Sequence, residues 1–240
     1  MSAHFLTWPT GRGAVATVAA CLVVATTLAW AGAAPAPDGP RGVVRGAVKV
    51  TQKGTAKPDQ SGVVVYLVGF EEPPPDTVPT MGQRAKGFEP AVLAVTAGQN
   101  VSFPNHDSFF HNVFSLSAAR PFDLGQYRMG ETKMKGFPKP GVVDVYCNIH
   151  PQMAATLLVL PNRRFAVTDK AGRFSIDAVP AGTWTLFAYD RFAAAPVKQA
   201  VTVAAGAPLE VALAVDEVRT DMPHVNKFGS PYPKDDGSYR

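Results

Sequence analysis

Beyond residue 40 the apolar positions of the chain recur every second residue. Val43, Val48 and Val50 form one such set, and Val63, Val65 and Leu67 another; Val92 to Val95, Val101 with Phe103, Phe110 to Phe114, Val142 to Cys147 and Ala155 to Leu160 continue it. A period of two puts alternate side chains on the buried face of an extended strand. After Pro161 the series resumes with Phe165 and Val167, Phe174 and Ile176, then Trp184, Leu186 and Ala188. It ends with Val201 and Val203, then Leu209, Val211, Leu213 and Val215. No amphipathic helix longer than two turns can be drawn through these positions. Short strands separated by Gly, Pro and Asn predict an all-β fold, an antiparallel sandwich or barrel.

Interruptions of the pattern divide the chain. Residues 34–41 read as a Pro-rich linker, 42–161 as a first β module and 162–216 as a second. The second module, at about fifty-five residues, is small for an independent core, so it is expected to pack against the first. Glu71 to Lys86, with Pro73, Pro74, Pro75 and Pro79, reads as an exposed loop. Residues 217–240 hold too few apolar groups to offset the entropy of ordering and read as a flexible tail.

Composition adds a compartment. Of 240 residues 46% are hydrophobic and 18% charged, and part of that apolar content lies in an uncharged stretch from Ala14 to Ala31. Ala29-Trp30-Ala31 and Ala31-Gly32-Ala33 offer small-x-small cleavage sites, so residues 1–33 are expected to be a signal peptide, or an N-terminal anchor if left uncut. Either way the protein is expected in the periplasm or another extracytoplasmic space, away from membrane unless the leader is retained. A net charge of +4 spread over scattered Lys and Arg leaves no stripe for phosphates, so no nucleic-acid partner is expected. Of the two cysteines, Cys21 belongs to the leader, and Cys147 remains as an unpaired thiol in an oxidising space.

That thiol stands in Tyr146-Cys147-Asn148-Ile149-His150-Pro151-Gln152-Met153, at the end of an expected strand, where a thiol, an imidazole and a thioether follow at intervals of three. His111 enters another strand upstream. One Cys, two His and a weak Met are the donor set of a blue-copper electron-transfer site, so His111, Cys147, His150 and Met153 are the candidate ligands of one type 1 copper ion. Zinc is disfavoured by the single thiolate and the thioether. Two other readings of Cys147 stand beside copper: a small buried hydrophobe, or a nucleophile paired with His, although no helix N-terminus is at hand to lower the thiol pKa. No acid–base pair, phosphate loop or haem-attachment motif suggests an enzyme.

On these residues the stretch from Val43 to Leu160 resembles the cupredoxins, the plastocyanin and amicyanin family, and the loop from Cys147 to Met153 is similar to that of amicyanin in spacing and in the Pro after His. The resemblance implies a Greek-key sandwich and places Asn112 and Asn148 around the ligands. In it the Asn112 amide would donate to the Cys147 sulfur and the Asn112 side chain would tie the two ligand loops together. The order Phe103-Pro104-Asn105, His111, Gly136-Phe137 and Cys147-Asn148-Ile149-His150 also resembles exported bacterial methylamine-utilisation-type proteins. Thr168 to Phe174 and Val179 to Trp184 look like a carboxypeptidase regulatory-like, prealbumin-type β domain. Ala154-Ala155 stands where some cupredoxins place a Gly near the axial ligand.

The expected role is a one-electron carrier serving redox partner proteins such as a cytochrome or a dehydrogenase, with His150 as the exit. Copper holding or delivery without electron transfer, and a metal-free cell-surface β protein, are the alternatives. Tyr146 faces away from the metal by strand alternation and is either a step on an electron path or a sheet-surface aromatic. His106, next to Asn105 and Asp107, is either an additional ligand or an exposed turn residue.

Overall fold

The computed structural model describes residues 34–232; the expected leader over 1–33 and the last residues of the tail lie outside the described residues. The described residues form strands, turns and loops without a helix, and the fold is an all-β arrangement of packed sheets. The strands expected from the period of two are present, from Arg41–Gln52 to Leu209–Glu217.

Strand pairing groups them differently from the expected division at residue 161. Arg41–Gln52 pairs antiparallel with Arg173–Pro180 and parallel with Leu209–Glu217. Val64–Val68 pairs with Phe165–Val167 and Gly182–Tyr189, and Val197–Val203 completes that sheet. The two sheets enclose a core that includes Val44, Val48, Val65, Leu67, Phe70, Ile176, Leu186, Val201 and Leu213. One sandwich is thus built from both ends of the described chain, and a second β module is inserted between Phe70 and Phe165. Alternation in sequence shows which face of a strand is buried but not which strand lies beside it, and the expected boundaries differ for that reason.

The inserted module has a five-stranded sheet in the order Phe122–Tyr127, His111–Ser115, Gly141–Cys147, Ala154–Leu160, Val92–Thr96. Its last pair is parallel, as is that between Arg41–Gln52 and Leu209–Glu217, so the sheets are mixed where antiparallel ones were expected. Asn100–Pro104 pairs with Thr132–Gly136, and the hairpin Gly82–Arg84 with Gly87–Glu89. Val95, Val101, Phe103, Val113, Phe137, Val145, Leu157 and Val159 fill the space between them. The stretch Glu71 to Lys86 is not the wholly exposed loop expected: Glu72, Met81 and Gln83 are buried.

The strands Val64–Val68 and Ala154–Leu160 are buried on both faces, which explains their unbroken apolar runs. Leu157 and Val159 face the core of the inserted module, while Leu158 and Leu160 turn the other way and meet Val64, Tyr66, Ala94 and Tyr189 in a third cluster. Val65 and Leu67, from the same strand as Tyr66, face the core of the first-described sandwich. The cluster joins the module to the sandwich, and Glu72 reinforces the junction by accepting hydrogen bonds from Arg41 and Arg164.

Candidate metal centre

Strand register brings the candidate ligands onto one face. Val113 stands opposite Cys147, and His111, two residues before Val113, shares its side of the sheet. The next strand begins at Ala154, and the loop between returns with hydrogen bonds from Met153 N to His150 O at 2.9 Å and from Cys147 N to Met153 O at 3.3 Å. His150 is thereby carried back over the end of the strand that holds Cys147.

Three donor atoms converge. His111 Nδ1 and His150 Nδ1 are 3.1 Å apart, and Cys147 Sγ lies 3.6 Å from the first and 3.7 Å from the second. Among the described residues His111, Cys147 and His150 are the group of metal-type side chains whose donor atoms lie within 4.8 Å of one another. A triangle with these sides has a point about 2 Å from every corner, close to ordinary metal–nitrogen and metal–sulfur bond lengths. His111 and Cys147 are fully buried and His150 is half-buried. Phe109 packs its ring 5.3 Å from each imidazole, with the Lys86 ammonium 5.3 Å from the Phe109 ring.

The tautomer of His111 is set from outside the triangle. Its Nε2 lies 2.9 Å from Asp107 Oδ2, so the ring donates its one proton to that carboxylate and turns an unprotonated Nδ1 toward Cys147 and His150. Asp107 is held in turn by the amides of Ala85 and Lys86, at 2.7 and 3.0 Å. Burial alone would raise its pKa, but these amides and the His111 ring outweigh it and leave the carboxyl below its ordinary range. Ala85 and Lys86 both have positive φ, 52° and 56°, a costly conformation for residues other than Gly that here aims two successive amides at one carboxylate. Burial, followed by repulsion from His111 and Lys86, holds the His150 pKa below its ordinary 6.5, so the ring is neutral near pH 7. With the His111 proton committed to Asp107, two imidazole nitrogens and a sulfur face one another with lone pairs to share, and a cation between them satisfies all three. The residues present fit a metal ion.

Met153 is buried in the same core as Cys147. His106 is exposed and outside the donor group. Asn148 Oδ1 accepts the Lys227 amide at 2.9 Å. The Asn112 side chain donates to Asp123, Nδ2 to Oδ1 at 2.6 Å, and not directly to the Cys147 loop. Tyr146 lies on the opposite face from the ligands, where His224 stacks on it. That contact belongs to a second departure from expectation: residues 218–232 do not trail away but lie against the ligand loop. The residue overlooked in the sequence is Asp107. Its signal was the spacing Asn105-x-Asp107-x-x-x-His111, in which Asn105 Oδ1 accepts the Asp107 amide and fixes the turn that sets the carboxylate under the ring.

No protein-family model matches the chain, and neither does any curated protein sequence. Among solved structures the chain is similar to the copper-containing nitrite reductase of Thermus scotoductus SA-01, at 27% identity over 39% of this chain and 24% of that one, with a TM-score of 0.34. It thus spans under a third of that enzyme. It is also similar to a purple cupredoxin from Nitrosopumilus maritimus, at 22% identity over 34% of this chain and 99% of that one, TM-score 0.31. A reduced amicyanin variant shows 19% identity over 40% of this chain and 98% of its own, TM-score 0.34.

Proposed function

We propose that the chain is an exported, cupredoxin-like one-electron carrier that holds one type 1 copper ion through His111, Cys147 and His150, with Met153 as a weak axial donor. The observation that supports it best is the triangle of two imidazole nitrogens and one thiol sulfur, with the His111 lone pair aimed inward by Asp107. Two imidazoles, one thiolate and a thioether suit copper better than zinc, which takes thioether poorly. Held there, copper would supply a one-electron couple near neutral pH.

The protein's own part is to fix the donors and to limit access. Packing and the sheet hold His111 and Cys147, whereas half-buried His150 offers the short way out to a redox partner such as a cytochrome or a dehydrogenase. The role is transfer and not catalysis: Asp107, the carboxylate nearest the ligands in this network, is committed to one ring and two amides. The remainder of the reading is a carboxypeptidase regulatory-like second domain and an extracytoplasmic location, with no nucleic-acid partner.

Reconstitution of the purified protein with Cu(II), followed by visible absorption and EPR, tests the proposal. An intense thiolate-to-copper band with narrow hyperfine splitting, abolished by Cys147→Ser, is the expected result. A colourless protein, or a spectrum that survives Cys147→Ser, overturns it. Fast electron self-exchange with retained metal marks a carrier, and slow exchange with ready metal loss marks a copper-holding protein instead.

A further inference from the structure

The segment 218–232 leaves the end of the strand Leu209–Glu217 and comes to lie on the ligand loop of the inserted module. The His224 ring stacks on Tyr146 with centroids 3.9 Å apart and planes 18° from parallel, and its Nε2 lies 2.8 Å from the Pro151 carbonyl oxygen. The Lys227 amide donates to Asn148 Oδ1 at 2.9 Å. The Tyr232 hydroxyl donates to the Cys147 carbonyl at 3.1 Å. Cys147, Asn148 and Pro151, all on the ligand loop, are each gripped by a different residue of one segment.

Through Asp123, on the strand Phe122–Tyr127, the same segment is linked to the strand that carries His111. Lys227 Nζ pairs with Asp123 Oδ2 at 2.7 Å, and Asp123 Oδ1 accepts from Asn112 at 2.6 Å. Lys227 therefore links Asn148, next to Cys147, with Asn112, next to His111. Its own position is fixed by a turn around Asn226, whose Oδ1 accepts the amides of Phe228 and Ser230 at 2.9 and 3.1 Å. The tie that the resemblance expects between the two ligand loops through Asn112 runs here by way of Asp123 and Lys227.

We propose that residues 218–232 form a strap that sets the ligand loop in its metal-ready shape, with His224, Lys227 and Tyr232 as positioning residues; the proposal rests on the copper reading given above. A loop braced from outside before the metal arrives loses less freedom when it binds and moves less afterwards. The contribution is distinct from general stability, because the strap's contacts fall on the loop and on the partner of Asn112.

The test uses the full chain carrying His224→Ala, Lys227→Met and Tyr232→Phe together, and Tyr232→Phe alone, which removes a single oxygen atom. In the metal-free protein, amide hydrogen exchange at Cys147 and Met153 should rise by about tenfold in the triple variant and less in the single one. After Cu(II) loading, an excess of chelator should withdraw the metal about tenfold faster, and the EPR hyperfine splitting should widen. Wild-type exchange rates, withdrawal within twofold of wild type and an unchanged EPR spectrum in the triple variant overturn the strap. If the wild-type chain itself takes up no coloured copper, the copper reading fails, and the metal-free exchange rates decide the strap independently.

Discussion

His111 Nε2 lies 2.9 Å from Asp107 Oδ2, and both side chains are buried. The carboxylate receives the ring proton and two amide protons at once, Oδ1 facing the Ala85 amide and Oδ2 the Lys86 amide and the His111 ring, so each oxygen is held by at least one N–H donor. Asp107→Asn must place an NH2 group against at least one of these N–H donors. Loss of such an outer partner typically lowers metal affinity by about 10- to 100-fold. Competition with a chelator of known affinity measures it, and a change below about threefold would show that the ring is oriented by packing alone.

Asp123 carries a pH dependence of definite sign. Burial favours its neutral form, but the Lys227 ammonium, the Asn112 amide and the Gly125 backbone amide outweigh burial and hold the pKa below its ordinary 3.8. A carboxyl with a depressed folded-state pKa contributes stability that is fully present above the unfolded value and is lost as pH falls through the folded one. The stability difference between wild type and Asp123→Asn should therefore be constant from neutral pH down to about 5, then shrink below about 4. Denaturant unfolding of the metal-free protein at a series of pH values reads it. A difference that grows on acidification would contradict the depressed pKa.

The candidate metal site is legible in the sequence to the extent that its chemistry is local. Cys147, His150 and Met153 lie in one turn between two strands, and His111 opens a strand whose alternation could be read directly. Asp107 escaped notice because it lies in an irregular turn, where no period of two or 3.6 assigns it a direction. The tail escaped for a different reason: its hold on the loop is polar, through His224, Lys227 and Tyr232, and an apolar count does not register it. The strand Phe122–Tyr127 was hidden by Asp123 and by Gly125 at φ 71°, and Thr132–Gly136 by its largely exposed Lys-Met-Lys face.

Leu157 and Leu158 are adjacent, yet they belong to different cores. Leu158→Ala should cost about 2–4 kcal/mol through the cavity left between module and sandwich. It should leave the copper spectrum unchanged, since no ligand touches that face. Leu157→Ala should cost a similar amount and also alter the site, because its side chain shares a core with Cys147 and Met153. Equilibrium unfolding combined with EPR of both variants separates the two cases. Equal spectral effects would mean that the alternation along Ala154–Leu160 does not divide the two cores.

Gly46 tests the pairing that closes the first sandwich. It stands opposite Val211 in the parallel pair between Arg41–Gln52 and Leu209–Glu217, and a Cβ built on it would overlap the Val211 carbonyl oxygen. Backbone cannot retreat as the tip of a long side chain can, so Gly46→Ala should force the two strands apart at a cost of about 1–3 kcal/mol. Ala47→Ser, at the exposed neighbouring position, should stay within about 0.5 kcal/mol of wild type. Denaturant midpoints give both numbers. If Arg41–Gln52 belonged to the inserted module, as the simple division at residue 161 implies, the extra methyl would have no reason to loosen the strand Leu209–Glu217. Hydrogen exchange along Leu209–Glu217 therefore distinguishes the two groupings: faster exchange there in Gly46→Ala supports the discontinuous sandwich, and unchanged exchange refutes it.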